Sequence, residues 1–348
     1  MPTMPGLVFV GNSQAELREF ALPEPGPTEV LIRIRASGLC GSDLHSYRSP
    51  GGLREPGSGE FIVAGHEPAG VVERVGALVT SFVPGDRVLA YHILGCGGCH
   101  NCRLGYPVSC TSPSKKAYGG QRNGGHAEFM TAEERSLIAL PPQVSFIDGA
   151  TVACGTSTAY AASRRAAVVP GDRVLITGLG PVGLAVALFC SDLGAEVIGV
   201  DPNTERAEFA KRYGVHQAIT ESDAGAALER LAELTDGRGT SVSIECSGTD
   251  SGRSLCLRAA SGWGRVVFVG FGGTALTINA AEVLILKQLS LYGSWVSSLA
   301  QMEDVVEVLR ARDLHPDAMV TGQYTLEGAA EAYQAFDGGS IGKLVVVS

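Results

Sequence analysis

Hydrophobic and polar positions follow two different periods along this chain, and the change between them falls near Thr151. Before it, short runs such as Val30-Leu31-Ile32-Arg33-Ile34-Arg35 and Phe61-Ile62-Val63-Ala64 stand between stretches rich in glycine and proline, the pattern of strands joined by turns. After it, the apolar runs Val174-Leu175-Ile176-Thr177, Val197-Ile198-Gly199-Val200, Val242-Ser243-Ile244 and Val266-Val267-Phe268-Val269 alternate with segments of helical period at Val182 to Leu193 and Thr204 to Tyr213. Strand and helix in regular succession predict a parallel, doubly wound sheet. From about Tyr292 the pattern changes again, with a helix expected from Leu299 to Arg310 and a closing strand at Leu344-Val345-Val346-Val347. The reading is α/β: a β-rich domain over residues 1–153, a doubly wound domain over 154–291, and a segment, 292–348, expected to pack back on the first domain and complete it.

One hexapeptide occurs twice, at Val83-Pro84-Gly85-Asp86-Arg87-Val88 and Val169-Pro170-Gly171-Asp172-Arg173-Val174. Pro-Gly-Asp sets a tight turn and the following valine starts a strand, so two domains can reach this solution independently. It is not read as duplication.

Composition narrows the class of partner. With 348 residues, 45% of them hydrophobic, the chain can fill two cores. Its net charge of −9 argues against nucleic acid or an anionic membrane surface, which it would repel. No run of about 18 uninterrupted apolar residues is present, and Met1 to Val10 lacks the basic and apolar regions of an export signal. The nine cysteines then read as thiols and metal ligands, and the chain as a soluble cytoplasmic enzyme with a small-molecule partner.

Four of those cysteines, Cys96, Cys99, Cys102 and Cys110, are spaced to wrap one tetrahedral Zn²⁺ from a single loop. Iron–sulfur clusters use the same thiolates, but the bacterial iron–sulfur run closes with a shorter gap and a proline. Four thiolates leave no open coordination position, so this zinc is read as structural.

Directly after the strand ending at Thr177 comes Gly178-Leu179-Gly180-Pro181-Val182-Gly183, followed by a helical segment, and Asp201 ends the next strand. That is the dinucleotide fingerprint in its proper setting. Gly178 permits the turn, Gly180 lets the backbone approach a pyrophosphate, and Gly183 lets helix and strand pack closely. Asp201 suits ribose hydroxyls and repels a 2′-phosphate, which favours NAD over NADP, while Arg206 is expected to pack over or beside the ribose. A second group of ligand types, Cys40 in Gly38-Leu39-Cys40-Gly41-Ser42-Asp43-Leu44-His45, His66 and Glu67 in Gly65-His66-Glu67, and Cys154, is scattered. Spacing alone does not join them.

Taken in this order, the cysteine loop, Gly65-His66-Glu67, the glycine loop and Asp201 resemble the zinc-dependent medium-chain alcohol and polyol dehydrogenases, over about Leu31 to Lys343. The resemblance implies a GroES-like catalytic domain beside a Rossmann domain. It implies two zinc ions per chain: a catalytic one on Cys40, His66 and Cys154, with Glu67 able to become a transient ligand, and a structural one on the cysteine loop. Relatives of the sorbitol- and threonine-dehydrogenase type usually carry a carboxylate around the Cys154 position, and the cysteine departs from them. In the family's chemistry Ser42 receives the alcohol's proton and a relay through the nicotinamide ribose carries it to His45, while Asp43 fixes the His66 imidazole. Matching positions give Thr158, Val269 and Gly270 to the nicotinamide and Lys343 to the pyrophosphate. Pocket candidates are Tyr47, Arg48, His92 and Trp295. His92 stands where simple-alcohol enzymes of the family often carry an apolar aromatic, which suggests a polyol, cyclitol, sugar or amino alcohol, or the matching ketone, as substrate. Two other readings are an NADPH-dependent carbonyl reductase of the superfamily without catalytic zinc, and a non-catalytic NAD-binding redox sensor. The resemblance also implies pairing of the edge strand around Leu289-Ser290-Leu291-Tyr292 across a two-fold axis, and the short chain is similar in length to tetrameric members more than to dimeric ones, so a homo-oligomer is expected, a tetramer in preference to a dimer.

Overall fold

The computed structural model describes residues 2–348. The chain divides into two compact units, one running up to Ser157 and resuming at Ser297–Ser348, the other Thr158–Val296. The junctions thus fall at 157/158 and 296/297, a few residues beyond the expected ones.

In the first unit the long strand Glu29–Gly38 is the hub of the main sheet. It pairs antiparallel with Glu67–Val75, with Phe129–Glu133 and with the closing strand Lys343–Val347. The tail therefore completes this sheet, with Val345 opposite Gly38 and Gly38 opposite Glu67. Those registers gather Gly38, Glu67 and Lys343 from three remote parts of the chain. Alternate residues of the hub, Val30, Ile32 and Ile34, are buried with Val72, Val88, Met130 and Leu137, the period of two expected of a sheet with one face on a core. A hairpin, Thr3–Gly11 with Gln14–Ala21, turns at Asn12 and Ser13, both with positive φ as the twist-matched hairpin turn requires.

Phe61 to Ala64 is not a strand. Only Phe61 makes an isolated bridge, to Arg54, while the Ile62, Val63 and Ala64 amides donate to Leu53, to the Asn123 side chain and to Leu7. An apolar run is buried here as a crossing segment, because its amides meet three different segments rather than one neighbouring strand.

The second unit is a six-stranded sheet, parallel throughout. Its spatial order is Gln217–Ile219, Glu196–Val200, Arg173–Thr177, Thr240–Glu245, Ala260–Phe268, Ser290–Gly293. The order reverses between Arg173–Thr177 and Thr240–Glu245, the switch point where doubly wound sheets bind ligands beyond their carboxyl ends. Both faces are covered, so Val174, Leu175, Ile176, Val242, Ile244, Val266 and Val267 are all buried and the strands read as unbroken apolar runs. Pro181–Asp192 is helical as expected, whereas Thr204–Ala210 ends early in a tighter turn, Lys211–Tyr213, closed by left-handed Gly214. Among the described residues no helix is long and apolar enough to cross a membrane.

Candidate functional site

Glycines make the dinucleotide loop of the second unit. Gly178 has φ +84°, and a Cβ there would lie 2.7 Å from the Ser247 backbone. A Cβ on Gly183 would overlap the Gly178 carbonyl oxygen, whereas one on Gly180 would meet nothing within 4 Å. Two glycines are thus required by the protein itself, and the third leaves the loop open on the side a phosphate would approach. Gly180 caps the helix Pro181–Asp192 without a side-chain bond, and Pro181 at the first position has no N–H, so the amides from Val182 onward face that opening. Asp201, just past the strand Glu196–Val200, is buried, its two oxygens accepting the amides of Leu179 and Asn203 at 2.9 Å each. It ties the glycine loop to the next turn. Arg206 is half-buried in the helix that Asn203 caps. Thr158 is buried, and the Val269 and Gly270 amides both donate to the Glu245 carbonyl. Trp295 lies just past the edge strand Ser290–Gly293 and is 62% exposed.

The metal-ligand types gather in the first unit as two groups. The Cys96, Cys99, Cys102 and Cys110 sulfurs lie within 4.8 Å of one another. The loop shapes its own pocket: Cys96 Sγ accepts the Cys99 amide at 3.3 Å, and Cys110 Sγ accepts those of Cys96 and Ser112 at 3.4 Å each. Amides of Cys102 and Thr111 pull the Cys99 thiol down to about 6, and burial pushes Cys102 up to about 12. Charge is shared unevenly among four crowded sulfurs, the donor chemistry that a divalent cation evens out by displacing the protons.

The second group joins Cys40, His66, Glu67 and Cys154, again within 4.8 Å. Cys40 follows the hub strand, His66 precedes the strand Glu67–Val75, and Cys154 lies in a wide turn, Val152–Thr156, that interrupts two helices. Such turns are rare and frequently mark functional sites. A hydrogen bond from Cys154 holds the Cys40 thiol well below its usual range despite burial, and the same contact raises Cys154. Burial lowers the His66 pKa, but Asp43 and Cys40 outweigh it and hold the ring well above the usual histidine range. A cation facing these groups gains from the same charges. Asp43 Oδ1 lies 2.8 Å from His66 Nδ1, and a carboxylate can only accept, so Nδ1 keeps its proton and Nε2 is the nitrogen at which a metal would replace a proton. The donor set, two sulfurs and a nitrogen with a carboxylate nearby, fits an open zinc site.

Ser42 sits with this group, its Oγ 3.4 Å from both Cys40 Sγ and His66 Nε2. His45 is exposed on the same short helix, Asp43–Arg48. His92 is buried beside His66, ring centroids 5.0 Å apart, and its Nδ1 donates to the Ala153 carbonyl at 3.1 Å. Burial brings the His92 pKa down to about 4, so its Nε2 is an acceptor. Two pocket candidates lie elsewhere. Tyr47, 1% exposed, belongs to the core with Phe9 and Tyr333, because its ring lies on the inner face of that helix. Arg48 faces outward and pairs with Asp337 at 2.6 Å.

Sequence reasoning missed what surrounds Glu67. Lys343, 3% exposed, forms a buried ion pair with it, so its ammonium faces a carboxylate of its own unit. Burial pushes the Glu67 carboxyl up to about 8 against the pull of Lys343. Gly38 makes room for both: a Cβ there would overlap Glu67 Oε2 and lie 2.9 Å from Lys343 Cε. Only the three-strand register reveals this. A further trio, Asp148, His315 and Asp317, is a helix cap, with Asp148 closing a capping box on Ser145.

Two family models match, the alcohol dehydrogenase GroES-like domain over residues 26–142 and the zinc-binding dehydrogenase over 181–311. The chain belongs to the medium-chain, zinc-type alcohol dehydrogenase family, and is an oxidoreductase with a GroES-like domain and a Rossmann-like sheet. Among its relatives is the uncharacterized zinc-type alcohol dehydrogenase-like protein YphC of Escherichia coli K12, 42% identical and covering 99% of each chain. The sorbitol dehydrogenase of Halalkalibacterium halodurans is 30% identical over 97% of this chain and 96% of its own. Of the solved structures, galactitol-1-phosphate dehydrogenase from Escherichia coli superposes with a TM-score of 0.88 at 26% identity, covering 99% of this chain and 100% of that one.

Proposed function

We propose that this chain is an NAD-dependent zinc dehydrogenase that oxidises the secondary alcohol of a polyol, cyclitol, sugar or amino alcohol, or reduces the matching ketone. The observation that carries the reading is the convergence of Cys40, His66 and Cys154 beside the hydroxyl of Ser42. Zinc held there would act as a Lewis acid on the substrate oxygen, and NAD on the glycine loop would take the hydride. Cys96, Cys99, Cys102 and Cys110 would hold a second, closed zinc that fixes their loop.

The chain's own residues do the rest. Asp43 holds the His66 tautomer with Nε2 inward. Ser42 Oγ accepts the proton of the substrate hydroxyl as it hands on its own, and exposed His45 passes that proton to water. His92 Nε2 accepts a hydrogen bond from a second substrate hydroxyl, which favours a polyhydroxylated substrate over a simple alcohol. Sorbitol and galactitol 1-phosphate, named for two relatives, share that character. The Asp201 charge and the lack of a cation at Pro202 and Asn203 favour NAD over NADP. Leu291 and Tyr292 on the edge strand are partly exposed, in keeping with an oligomer built through that edge.

Metal analysis with an activity panel tests the reading. About two zinc ions per chain are expected, with NADH formed from polyols, cyclitols or hydroxy amino acids faster than from ethanol; one zinc and no turnover of any alcohol overturns it.

A further inference from the structure

Behind the metal-facing residues runs a buried chain of hydrogen bonds drawn from four separate stretches of sequence. His66 Nδ1 meets Asp43 Oδ1 at 2.8 Å, and the Tyr333 hydroxyl donates to Asp43 Oδ2 at 2.9 Å. His126 Nε2 in turn lies 2.9 Å from the Tyr333 oxygen. His66, Asp43, Tyr333 and His126 are all buried, the last two with no exposed surface.

Chemistry fixes the direction of each bond. A carboxylate only accepts, so Tyr333 gives its single proton to Asp43 and its oxygen must accept from His126. His126 therefore carries its proton on Nε2, and its Nδ1 is left buried with no partner. Burial lowers the His126 pKa to about 4, which keeps the ring neutral with that one proton. Leaving a ring nitrogen unsatisfied is costly, and such a cost in a native core calls for a reason.

Packing closes the chain into a ring around His66. Gly65, next to His66, has φ +87°, and a Cβ there would lie 2.5 Å from His126 Cγ, so the imidazole rests directly on this backbone. The His126 amide also donates to the Ala64 carbonyl at 2.9 Å. Tyr333 itself is gripped edge-on by Phe9, with centroids 4.7 Å apart. The Cys40 amide gives Asp43 Oδ2 a second donor at 2.9 Å, so the carboxylate cannot rotate without breaking bonds on both oxygens.

We infer that Tyr333 and His126 are positioning residues of the metal centre: through Asp43 and Gly65 they fix the orientation of the His66 imidazole toward the catalytic zinc. The helix Ala329–Asp337, far along the chain from every ligand, thereby takes part in holding the metal. The inference rests on the reading of Cys40, His66 and Cys154 as a zinc site.

The test measures zinc per chain against buffered free zinc, with no turnover needed. Wild type should release zinc in two steps, and the step missing from Cys40→Ser identifies the catalytic site. Tyr333→Phe, which removes one oxygen, should move that step alone to roughly tenfold higher free zinc, within the 10–100-fold typical of outer partners of metal ligands. The cobalt-substituted site should show an altered visible d–d band, while the structural step stays in place. His126→Phe, which keeps a ring against Gly65 and removes only the hydrogen bond to Tyr333, should shift the step by a smaller factor, and the double variant no further than Tyr333→Phe, because the hydrogen bonds act in series. Should Tyr333→Phe not accumulate, His126→Phe alone must still move the catalytic step. An unmoved step, an equal movement of both steps, or additive shifts in the double variant each overturn the inference. A wild type that binds only one zinc overturns the zinc-site reading itself and the inference with it.

Discussion

The four-cysteine loop and the Cys40, His66 and Cys154 group offer a metal similar chemistry but are assembled in opposite ways. In the loop, fifteen residues from Cys96 to Cys110 supply every sulfur and most of the amides that steer them. In the other group each donor comes from a different element, and its surroundings include residues as remote as Tyr333 and Lys343. A site made by one loop is a local solution; a site made by the fold inherits every tolerance of the fold. On a bound ion the second arrangement would leave a position open, because the backbone between the donors is not forced to wrap it.

The largest contrast should come from removing one ligand in each. Cys40→Ser is expected to abolish turnover while NAD binding, measured by nicotinamide fluorescence, and the loop zinc persist. Cys102→Ser is expected to lose the other zinc and lower the thermal midpoint, with turnover per remaining zinc retained at low temperature. Equal loss of activity in both variants at low temperature would remove the distinction between a reactive and a scaffolding site.

A smaller effect should separate the glycines of the two sites. Gly38→Ala forces a Cβ onto the Glu67 carboxylate, and overpacking of this kind costs about 1–3 kcal/mol by denaturant titration. Gly98, in the cysteine loop, has nothing within 4 Å of such a Cβ, and Gly98→Ala should stay within about 0.5 kcal/mol of wild type. Comparable losses would mean that the loop is as tightly constrained by the fold as the open site.

The smallest contrast lies in the repeated hexapeptide. In both copies the aspartate accepts the amide three residues back, Val83 onto Asp86 at 2.9 Å and Val169 onto Asp172 at 3.0 Å. Only Asp172 has further partners, the Ser241 hydroxyl at 2.7 Å and Arg265 at 2.6 Å. Burial opposes its charge, but the Ser241 and Val169 hydrogen bonds and Arg265 outweigh it and hold the carboxyl below its ordinary value. A depressed carboxylate stabilises the fold above its unfolded pKa, about 3.9, and that stability is lost as pH falls through the folded value. Asp172→Asn should therefore cost about 1–2 kcal/mol near pH 7, with the gap to wild type closing below about pH 4. Asp86→Asn should cost less at every pH, and a larger loss there would show the turn rather than its partners to be decisive.

What could be read directly was whatever the chain states within one contiguous stretch. The cysteine spacing, the glycine loop between strand and helix, and the apolar strands of the parallel sheet belong to this class, because ligand geometry, turn geometry and two-sided burial each leave a short-range pattern. Phe61 to Ala64 shows where such patterns mislead: burial alone made the run apolar, and nothing local said that its amides would meet three different partners. Tyr47 and Arg48 differ from the expected pocket for a related reason, since neighbours in sequence on one short helix face a core and the solvent.

By itself, then, the amino-acid sequence determined the class of fold, the grouping of four cysteines in one loop and the glycine loop between strand and helix. Only the tertiary structure decided that Lys343 faces Glu67 over Gly38, and that Tyr333 and His126 stand behind Asp43 and His66. The two copies of Val-Pro-Gly-Asp-Arg-Val give the reason in small. Identical residues make the same turn twice, while the partners that give one aspartate its charge and its energy come from strands that no local pattern can name.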